Sequence, residues 1–168
     1  QADLEAGILR FAGAATQRVE EDALRMLRYC RFLPHFGGAG TDDEALAALT
    51  EKAGLAAGLS GERIAAELAR MLSGRGAAPA VGLLQNTGLA AAALGVTLAD
   101  RRLTPDIDQA VEVAIDEGGP AWLVRLAVIT WPGDAAGLAT RLRLSRWDSH
   151  ILTALDTDET GEDAESLT

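Results

Sequence analysis

The chain is poor in cysteine, lysine, histidine and aromatic residues. It has one cysteine (Cys30), one lysine (Lys52) and two histidines, and aromatic side chains make up 4% of its 168 residues. A single cysteine excludes an internal disulfide, and with only two histidines a zinc site is improbable. No apolar run reaches the roughly 18 residues that a membrane-spanning helix needs, and no signal-peptide pattern opens the sequence. We therefore expect a cytoplasmic protein without a membrane segment.

Alanine and leucine are abundant, supplying 33 and 25 residues, and hydrophobic residues make up 48% of the chain. Both residue types favour helices, and strand-forming residues are scarce, so an all-β fold is excluded. Glycine, proline and capping residues divide the chain into eight or nine short helices. The sequence therefore predicts an irregular all-α array, with at most a stub of strand near residues 3–11.

The net charge is acidic and unevenly distributed. The chain carries 25 acidic and 15 basic residues, a net charge of −10. Six of the acids lie in residues 156–168, and removing them from −10 leaves −4 for residues 1–155. Phosphates demand basic surface, so the acidic balance argues against general nucleic-acid binding. We expect the acidic tail to be solvated and disordered.

The most informative segment is a helix predicted from Thr16 to about Leu33. At 100° per residue its apolar face comprises Val19, Ala23, Met26, Leu27 and Cys30. Its polar face comprises Arg18, Asp22, Arg25, Arg28 and Tyr29. Spacing alone indicates an amphipathic helix with a solvated face, on which Asp22 and Arg25 form an ordinary ion pair. With Arg31 near the boundary of this face, the helix carries four arginines, which in an otherwise acidic protein also suggest an anion site.

Three segments carry a resemblance to a known family. Within residues 18–32, Glu21-Asp22-Ala-Leu-Arg25-Met-Leu-Arg28 resembles the Glu-Asp-x-x-Arg-x-x-Arg motif of class II tRNA nucleotidyltransferases, which are the CCA-adding enzymes and related bacterial poly(A) polymerases. Residues 59–68 resemble the family's Leu-Ser-x-Glu-Arg-Ile-x-x-Glu-Leu segment. Residues 3–11 resemble the strip that joins its head to its neck. The resemblance covers residues 1 to about 90 well and the remaining helices loosely.

The resemblance implies a division of the chain. Residues 1–15 would be a remnant of the head–neck junction, 16–75 the neck with the base-reading helix, 76–155 a helical body and 156–168 the acidic tail. In this family the catalytic carboxylates, with their Mg²⁺, belong to a head domain that has a Gly-Gly…Arg-Asp loop and an Asp-x-Asp pair. Because the chain starts without methionine inside the junction, we expect that head to be missing. No catalytic or metal-binding residue is therefore assigned within the chain.

The resemblance also assigns the nucleotide site. It implies that the nucleotide is bound by Asp22, Arg25, Arg28 and Arg31. Supporting roles are implied for Arg18, Glu21, Glu62 and Arg63. Cytosine and adenine both present an amino donor beside a ring-nitrogen acceptor, whereas guanine and uracil present the reverse order. A carboxylate acceptor beside a guanidinium donor therefore fits CTP and ATP and opposes GTP and UTP.

The second motif and three other residue types have structural interpretations. The helix capped by Ser60 is expected to buttress the base-reading helix, with Arg63 paired to a carboxylate, in preference to contacting ligand directly. Cys30 is expected in the core, and His35 on the surface near a helix end. The tryptophans are expected in the core in preference to forming base-stacking platforms, at Trp122, Trp131 and Trp147.

Three functions remain open at this point. The first is the neck and body of a CCA-adding enzyme, which selects CTP and ATP, contacts tRNA and is inactive alone. The second is the body of a poly(A) polymerase, which the motifs do not separate from the first. The third is a helical protein-interaction module without nucleotide chemistry, which would show no preference among nucleotides.

Overall fold

The computed structural model describes residues 7–36, 40–74, 76–98, 103–104, 111, 120–131 and 133–157. Within them the α-helices are α1 (Ala15–Glu21), α2 (Leu24–Phe36), α3 (Asp43–Lys52), α4 (Gly61–Leu72), α5 (Ala78–Asn86), α6 (Leu89–Leu94), α7 (Ala121–Thr130), α8 (Ala135–Leu142) and α9 (Arg146–Thr157). A 3₁₀ helix, Ala53–Gly58, joins α3 to α4. The all-α prediction is confirmed. Of the helix predicted from Thr104, only residues 104 and 111 are described; of the tail predicted at residues 156–168, residues 156 and 157 belong to α9 and the rest lies outside the described residues.

One pair of very short strands accompanies the helices. Strand β1 (Ile8–Leu9) pairs in parallel with β2 (Gly40–Thr41). The position of β1 agrees with the strand stub expected near residues 3–11. Among the described helices, none is both long enough and apolar enough to cross a membrane.

Capping residues define several helix starts as the sequence predicts. Asp134 and Ser145 cap α8 and α9, each accepting a hydrogen bond from the N–H three residues later, at 2.7 and 3.1 Å. The segment Thr41-Asp-Asp-Glu44 predicts a capping box with Thr41 as the cap of α3, but Thr41 belongs to β2. The cap is Asp42, whose carboxylate accepts the N–H of Ala45 at 3.2 Å.

The single helix predicted from Thr16 to Leu33 is two helices. The chain leaves helical geometry at Asp22, whose φ and ψ are −155° and 104°. Aspartate favours such a boundary because its side chain can bond the backbone of the next turn. At the other end, Pro34 lies inside α2 and the helix continues to Phe36. In the last turn proline removes only one backbone bond, so it does not stop the helix where the sequence predicts.

The first helix begins without the expected threonine cap. The residue before α1 is Ala14, and its side chain makes no capping bond. Instead, the carboxylate of Glu44 on α3 accepts the N–H of Ala15 at 3.0 Å. A carboxylate at a helix N-terminus also complements the helix dipole. Helices α1 and α3 are therefore joined by a cap that is distant in sequence.

Helix α2 lies at the centre of the core and packs against α4, α5 and β1. Its buried side chains include Met26, Leu27 and Cys30, each at most 1% exposed, which confirms the core assignment of Cys30. Tyr29 is also buried, although helical spacing places it on the polar face. The reason is that β1 covers this side of α2. The central position of α2 holds the arginines of its other face in fixed surroundings.

The tryptophans are less buried than predicted. Trp122 packs against the core and is partly buried, and Trp131 is partly buried. Trp147 is 62% exposed, so its assignment to the core is wrong. It lies roughly 140° around α9 from the buried Leu152, on the side away from the core.

Candidate nucleotide site

The bend between α1 and α2 is fixed by the side chain of Asp22. Its Oδ1 accepts the N–H of Leu24 at 3.1 Å, which satisfies a donor in the first turn of α2. The N–H of Arg25 donates to the carbonyl oxygen of Asp22 at 3.0 Å. Asp22 and Arg25 therefore remain one turn apart, as the spacing predicts, but Asp22 forms the bend itself.

Asp22 also joins the bend to α4. Nη2 of Arg63 donates to Oδ1 of Asp22 at 2.9 Å. Partial burial tends to raise the pKa of Asp22, but the N–H of Leu24 and the guanidinium of Arg63 outweigh it and bring the pKa below its ordinary value. The expectation that Arg63 pairs with a carboxylate on the base-reading segment is fulfilled at Asp22.

Arg25 pairs with Glu21 in place of the predicted Asp22. Nη1 of Arg25 donates to Glu21 and to the carbonyl oxygen of Arg18, the latter at 2.8 Å. The guanidinium of Arg18 binds the same Glu21 oxygen. The hydrogen bond from Arg25, with both arginine charges, lowers the pKa of Glu21. One exposed carboxylate thus holds two guanidinium groups together.

A second carboxylate, Glu67 on α4, organises the rest of α2. It is 2% exposed, and its two oxygens accept Nε of Arg28 at 3.1 Å and Nε of Arg31 at 3.0 Å. Nη1 of Arg70 adds a third bond at 3.2 Å. A buried carboxylate is stable only when it is paired and hydrogen-bonded, and here arginines satisfy it from two helices.

A cleft of about 200 Å³ opens beside these arginines. Helices α1 and α2 contribute Arg18, Arg25 and Arg28, and the segment from Leu9 to Ala12, which includes Arg10, forms the facing wall. Within the described part of the chain, the lining residues include four arginines and no acidic residue. Each of these arginines also pairs with a carboxylate outside the lining, and their clustering in one cleft of an acidic chain is suited to an anionic ligand.

Aromatic side chains give the cleft an apolar wall. The rings of Phe11 and Tyr29 stack with centroids 5.0 Å apart, and Phe32 completes the wall. The hydroxyl of Tyr29 donates to the carbonyl oxygen of Leu9 at 2.7 Å, which ties β1 to α2. Burial raises the pKa of Tyr29 above its ordinary value. A ligand with both an anionic and a flat apolar part matches this combination.

The structure brings some of the predicted site residues together and separates others. Arg18, Arg25 and Arg28 line the cleft, whereas Asp22, Arg31 and Arg63 are not among its lining residues. Glu62, expected to support the site, instead pairs with Arg143 beyond α8, at 2.8 Å. That bond, with the helix backbone, lowers the pKa of Glu62. Among its described contacts, Glu62 therefore has none with the cleft residues that would support the nucleotide site.

Sequence reasoning missed Glu67 as a site residue. The signal was present, because Glu67 lies between Ile64 and Met71 on the apolar face of α4. A carboxylate at such a position must find a cation inside the protein. The aromatic wall was missed because it depends on where the chain segment around Phe11 crosses α2.

The described residues do not provide a metal site. No group of three or more histidine, cysteine, aspartate or glutamate side chains there could hold an ion. The acids Glu21, Asp22, Asp42 and Glu67 each pair with an arginine in or beside the cleft. What the arrangement offers chemically is a set of guanidinium donors beside a flat aromatic wall.

The chain resembles known proteins along most of its length. Residues 42–95 match the family model described as "Probable RNA and SrmB- binding site of polymerase A". A CCA-adding enzyme of Geobacillus thermodenitrificans is 33% identical over 147 residues, which cover 88% of this chain and 30% of that enzyme. The mitochondrial CCA tRNA nucleotidyltransferase 1 of Mus musculus is 41% identical over 102 residues, covering 52% of this chain and 24% of its own length.

A solved structure extends the comparison to the fold. The crystal structure of the Bacillus stearothermophilus CCA-adding enzyme in complex with CTP superposes with a TM-score of 0.72 and 27% identity, covering 91% of this chain and 38% of that one. The chain thus spans about a quarter to a third of the curated relatives described here. The family resemblance drawn from residues 18–32 and 59–68 is confirmed. The chain belongs to the class II CCA-adding nucleotidyltransferase family and corresponds to its body region.

Proposed function

We propose that this chain is the part of a tRNA nucleotidyltransferase that selects CTP and ATP and contacts tRNA during addition of the 3′ CCA sequence. The observation that carries the proposal is the cleft lined by Arg18, Arg25 and Arg28 beside the aromatic wall. A nucleotide has an anionic triphosphate and a flat base, which are the two features that this cleft accommodates.

Selection of the base is assigned to Asp22 and Arg25. Both contacts of Asp22 use Oδ1, so neither engages Oδ2. Both contacts of Arg25 use Nη1, so neither engages Nε or Nη2. An acceptor on Asp22 and donors on Arg25 therefore remain within a single helical turn, with Arg25 in the cleft lining and Asp22 outside it. That order fits the amino group and ring nitrogen of cytosine and adenine.

The reactive carboxylates are proposed to come from a head domain outside these residues, where they would hold Mg²⁺ at the triphosphate. Asp-x-Asp strings do occur in the chain, at residues 106–108 and 156–158. Both follow the cleft-forming helices in sequence, whereas the resemblance puts the head before the neck. Neither string is preceded by the Gly-Gly…Arg-Asp pattern. We therefore assign no metal-dependent step to this chain.

Contact with tRNA is assigned to the helices that follow the cleft. The matched family model, whose description names RNA, covers residues 42–95, which span α3 to α6. The net charge of −10 opposes strong binding to RNA phosphates by the chain as a whole. Arg28 and Arg31 supply basic groups beside α4, so we propose that RNA bound by α3 to α6 also reaches this side of α2.

Nucleotide addition by the intact protein tests the function. The substrate is a tRNA that lacks its 3′ CCA sequence, supplied with Mg²⁺ and each nucleotide in turn. We expect incorporation of CTP and ATP and rejection of GTP and UTP. Equal use of all four nucleotides would contradict base selection, and no incorporation at all would favour the protein-interaction module.

A poly(A) polymerase is the second candidate, and the description of the matched family model favours it because it names polymerase A. The same assay separates the two. A poly(A) polymerase would extend RNA with repeated ATP and would not require CTP, whereas a CCA-adding enzyme would stop after a defined addition.

A further inference from the structure

Glu67 binds two arginines of α2 through their Nε atoms and not through their terminal groups. It is buried, yet each of its oxygens binds the Nε atom of an arginine on another helix. An arginine held through Nε keeps both terminal Nη groups for a second partner. Arg28 is in this position: it is held from behind by Glu67, its side chain is 48% exposed, and it lines the cleft.

Arg31 continues the same arrangement behind the cleft wall. Its Nε binds the other oxygen of Glu67, and its guanidinium lies 4.1 Å from the ring centroid of Phe32. Phe32 lines the cleft, while Arg31 does not. Glu67 thus fixes one arginine that reaches the cleft and another that rests on its wall.

The charge of the cluster also favours an anion on the cleft side. Glu67 contributes one negative charge against three arginines, Arg28, Arg31 and Arg70, which leaves an excess of two positive charges. Arg70 is 60% exposed and is not among the cleft-lining residues. The cluster is therefore asymmetric: Arg28 faces the cleft, and Arg70 faces solvent.

We propose that Glu67 is a positioning residue for the nucleotide, which acts by holding Arg28 in the cleft through Nε while Arg31 braces the wall. The proposal rests on the function proposed above. It assigns a role in binding to a residue of α4 that does not itself line the cleft. It also couples α4 to the nucleotide through the hydrogen bond between Arg28 and Glu67, which lie 39 residues apart in sequence.

The test is a double-mutant cycle in the intact protein, with kcat and KM measured for CTP on tRNA that lacks its CCA sequence. Glu67→Gln keeps the shape of the side chain and removes its charge. We expect kcat/KM to fall by about tenfold, mainly through KM, because a charge-assisted contact that orients Arg28 is lost. In an Arg28→Ala background the same substitution should change kcat/KM by less than about twofold, because no guanidinium remains to be positioned.

Two further variants keep the test decisive if Glu67→Gln is poorly folded. Arg28→Lys leaves Glu67 in place, but the single ammonium group of lysine cannot bind Glu67 and the ligand at the same time as the branched guanidinium of arginine can. Its kcat/KM for CTP should therefore fall about as much as that of Arg28→Ala. Arg70→Ala is the matched control, since it removes another arginine from Glu67 on the solvent side, and it should leave KM for CTP unchanged.

The outcomes are distinct for the two proposals. Equal losses from Glu67→Gln in both backgrounds, no loss in either, full function of Arg28→Lys or a comparable loss in Arg70→Ala would each overturn the positioning role. If the unmodified protein shows no preference for CTP and ATP, the proposed function itself fails. If that preference is present, an unchanged KM for CTP in Glu67→Gln would overturn the positioning role alone.

Discussion

At the scale of single residues, Asp22 combines two tasks that helical spacing does not distinguish. It caps α2 through Leu24 and binds Arg63 on α4, both through Oδ1. A substitution at Asp22 therefore affects stability as well as any contact with a nucleotide. An experiment at this position must separate the cap from the charge.

Asp22→Ala and Asp22→Asn make that separation. Asp22→Ala removes the cap and should lower the free energy of unfolding by about 1 kcal/mol. Asparagine caps helices about as well as aspartate, so Asp22→Asn should lose less stability. Both variants should lose the preference for CTP and ATP, because an amide cannot supply the second carboxylate oxygen. Thermal melts with nucleotide assays would check this, and equal stability of the two variants would contradict the capping role.

The pH dependence of stability follows from the same residue. Because the pKa of Asp22 is lowered in the folded protein, the folded state binds fewer protons near that pKa than the unfolded state. The contacts of Asp22 therefore stabilise the fold fully above its ordinary pKa of 3.8, and this stability is lost as the pH falls below that value. Glu21, whose pKa is also lowered, contributes in the same direction.

We expect the melting temperature to change little from pH 7 to about pH 5 and to fall below about pH 4. Asp22→Asn should show a shallower decline on the acid side, since it has no proton to bind. The check is a series of melts at fixed ionic strength. An identical acid decline in both proteins would show that Asp22 is not a source of it.

At the scale of helices, the start of α4 is fixed by close contact with the end of α8. The side chain of Arg141 donates to the carbonyl oxygen of Leu59 at 3.2 Å. A Cβ atom at Gly61 would lie 2.1 Å from the carbonyl oxygen of Arg141, a backbone atom that cannot move aside. Only glycine allows this approach, which sets the direction of the helix that carries Arg63 and Glu67.

Gly61→Ala should therefore destabilise the protein by about 1–3 kcal/mol, as overpacking does elsewhere. Gly58→Ala is the matched control, because a Cβ there meets nothing within 4 Å. It should be neutral or slightly stabilising. Chemical denaturation of both variants measures the difference, and equal stability would contradict the contact between α4 and α8.

Sequence reasoning predicted the helices better than their junctions. Caps such as Asp134 and Ser145 are local, so the sequence reveals them directly. The contact of Asp22 with Arg63, which is 41 residues away, and the burial of Tyr29 under β1 both depend on distant parts of the chain. Arg25, by contrast, pairs with Glu21, a local partner four residues before it.

At the scale of the whole molecule, the described helices share one hydrophobic core that runs from Val19 to Leu152. The arginine-lined cleft lies on the side of this core where β1 covers α2. The matched relatives are about three to four times longer than the region they share with this chain. The proposed function assigns recognition to this chain and catalysis to another part of the protein.

The 168-residue chain alone should therefore add no nucleotide to tRNA. The experiment supplies tRNA that lacks its CCA sequence, CTP, ATP and Mg²⁺, with the intact protein as the positive control. A melt of the isolated chain establishes that it is folded. Extension of tRNA by the purified chain above background would contradict the division between recognition and catalysis.

The most direct test of the central claim is Arg25→Ala in the intact protein. The measurement is kcat/KM for all four nucleotides together with a thermal melt, and Lys52→Ala is the control because it breaks a partly buried ion pair elsewhere. In Arg25→Ala, CTP and ATP should lose roughly ten- to a hundredfold of their advantage in kcat/KM over GTP and UTP, which corresponds to about 1–3 kcal/mol. Stability should fall by only about 1 kcal/mol or less. Unchanged selectivity with a small loss of stability would show that Arg25 only forms an ion pair with Glu21, and it would contradict the role of Arg25 in base selection.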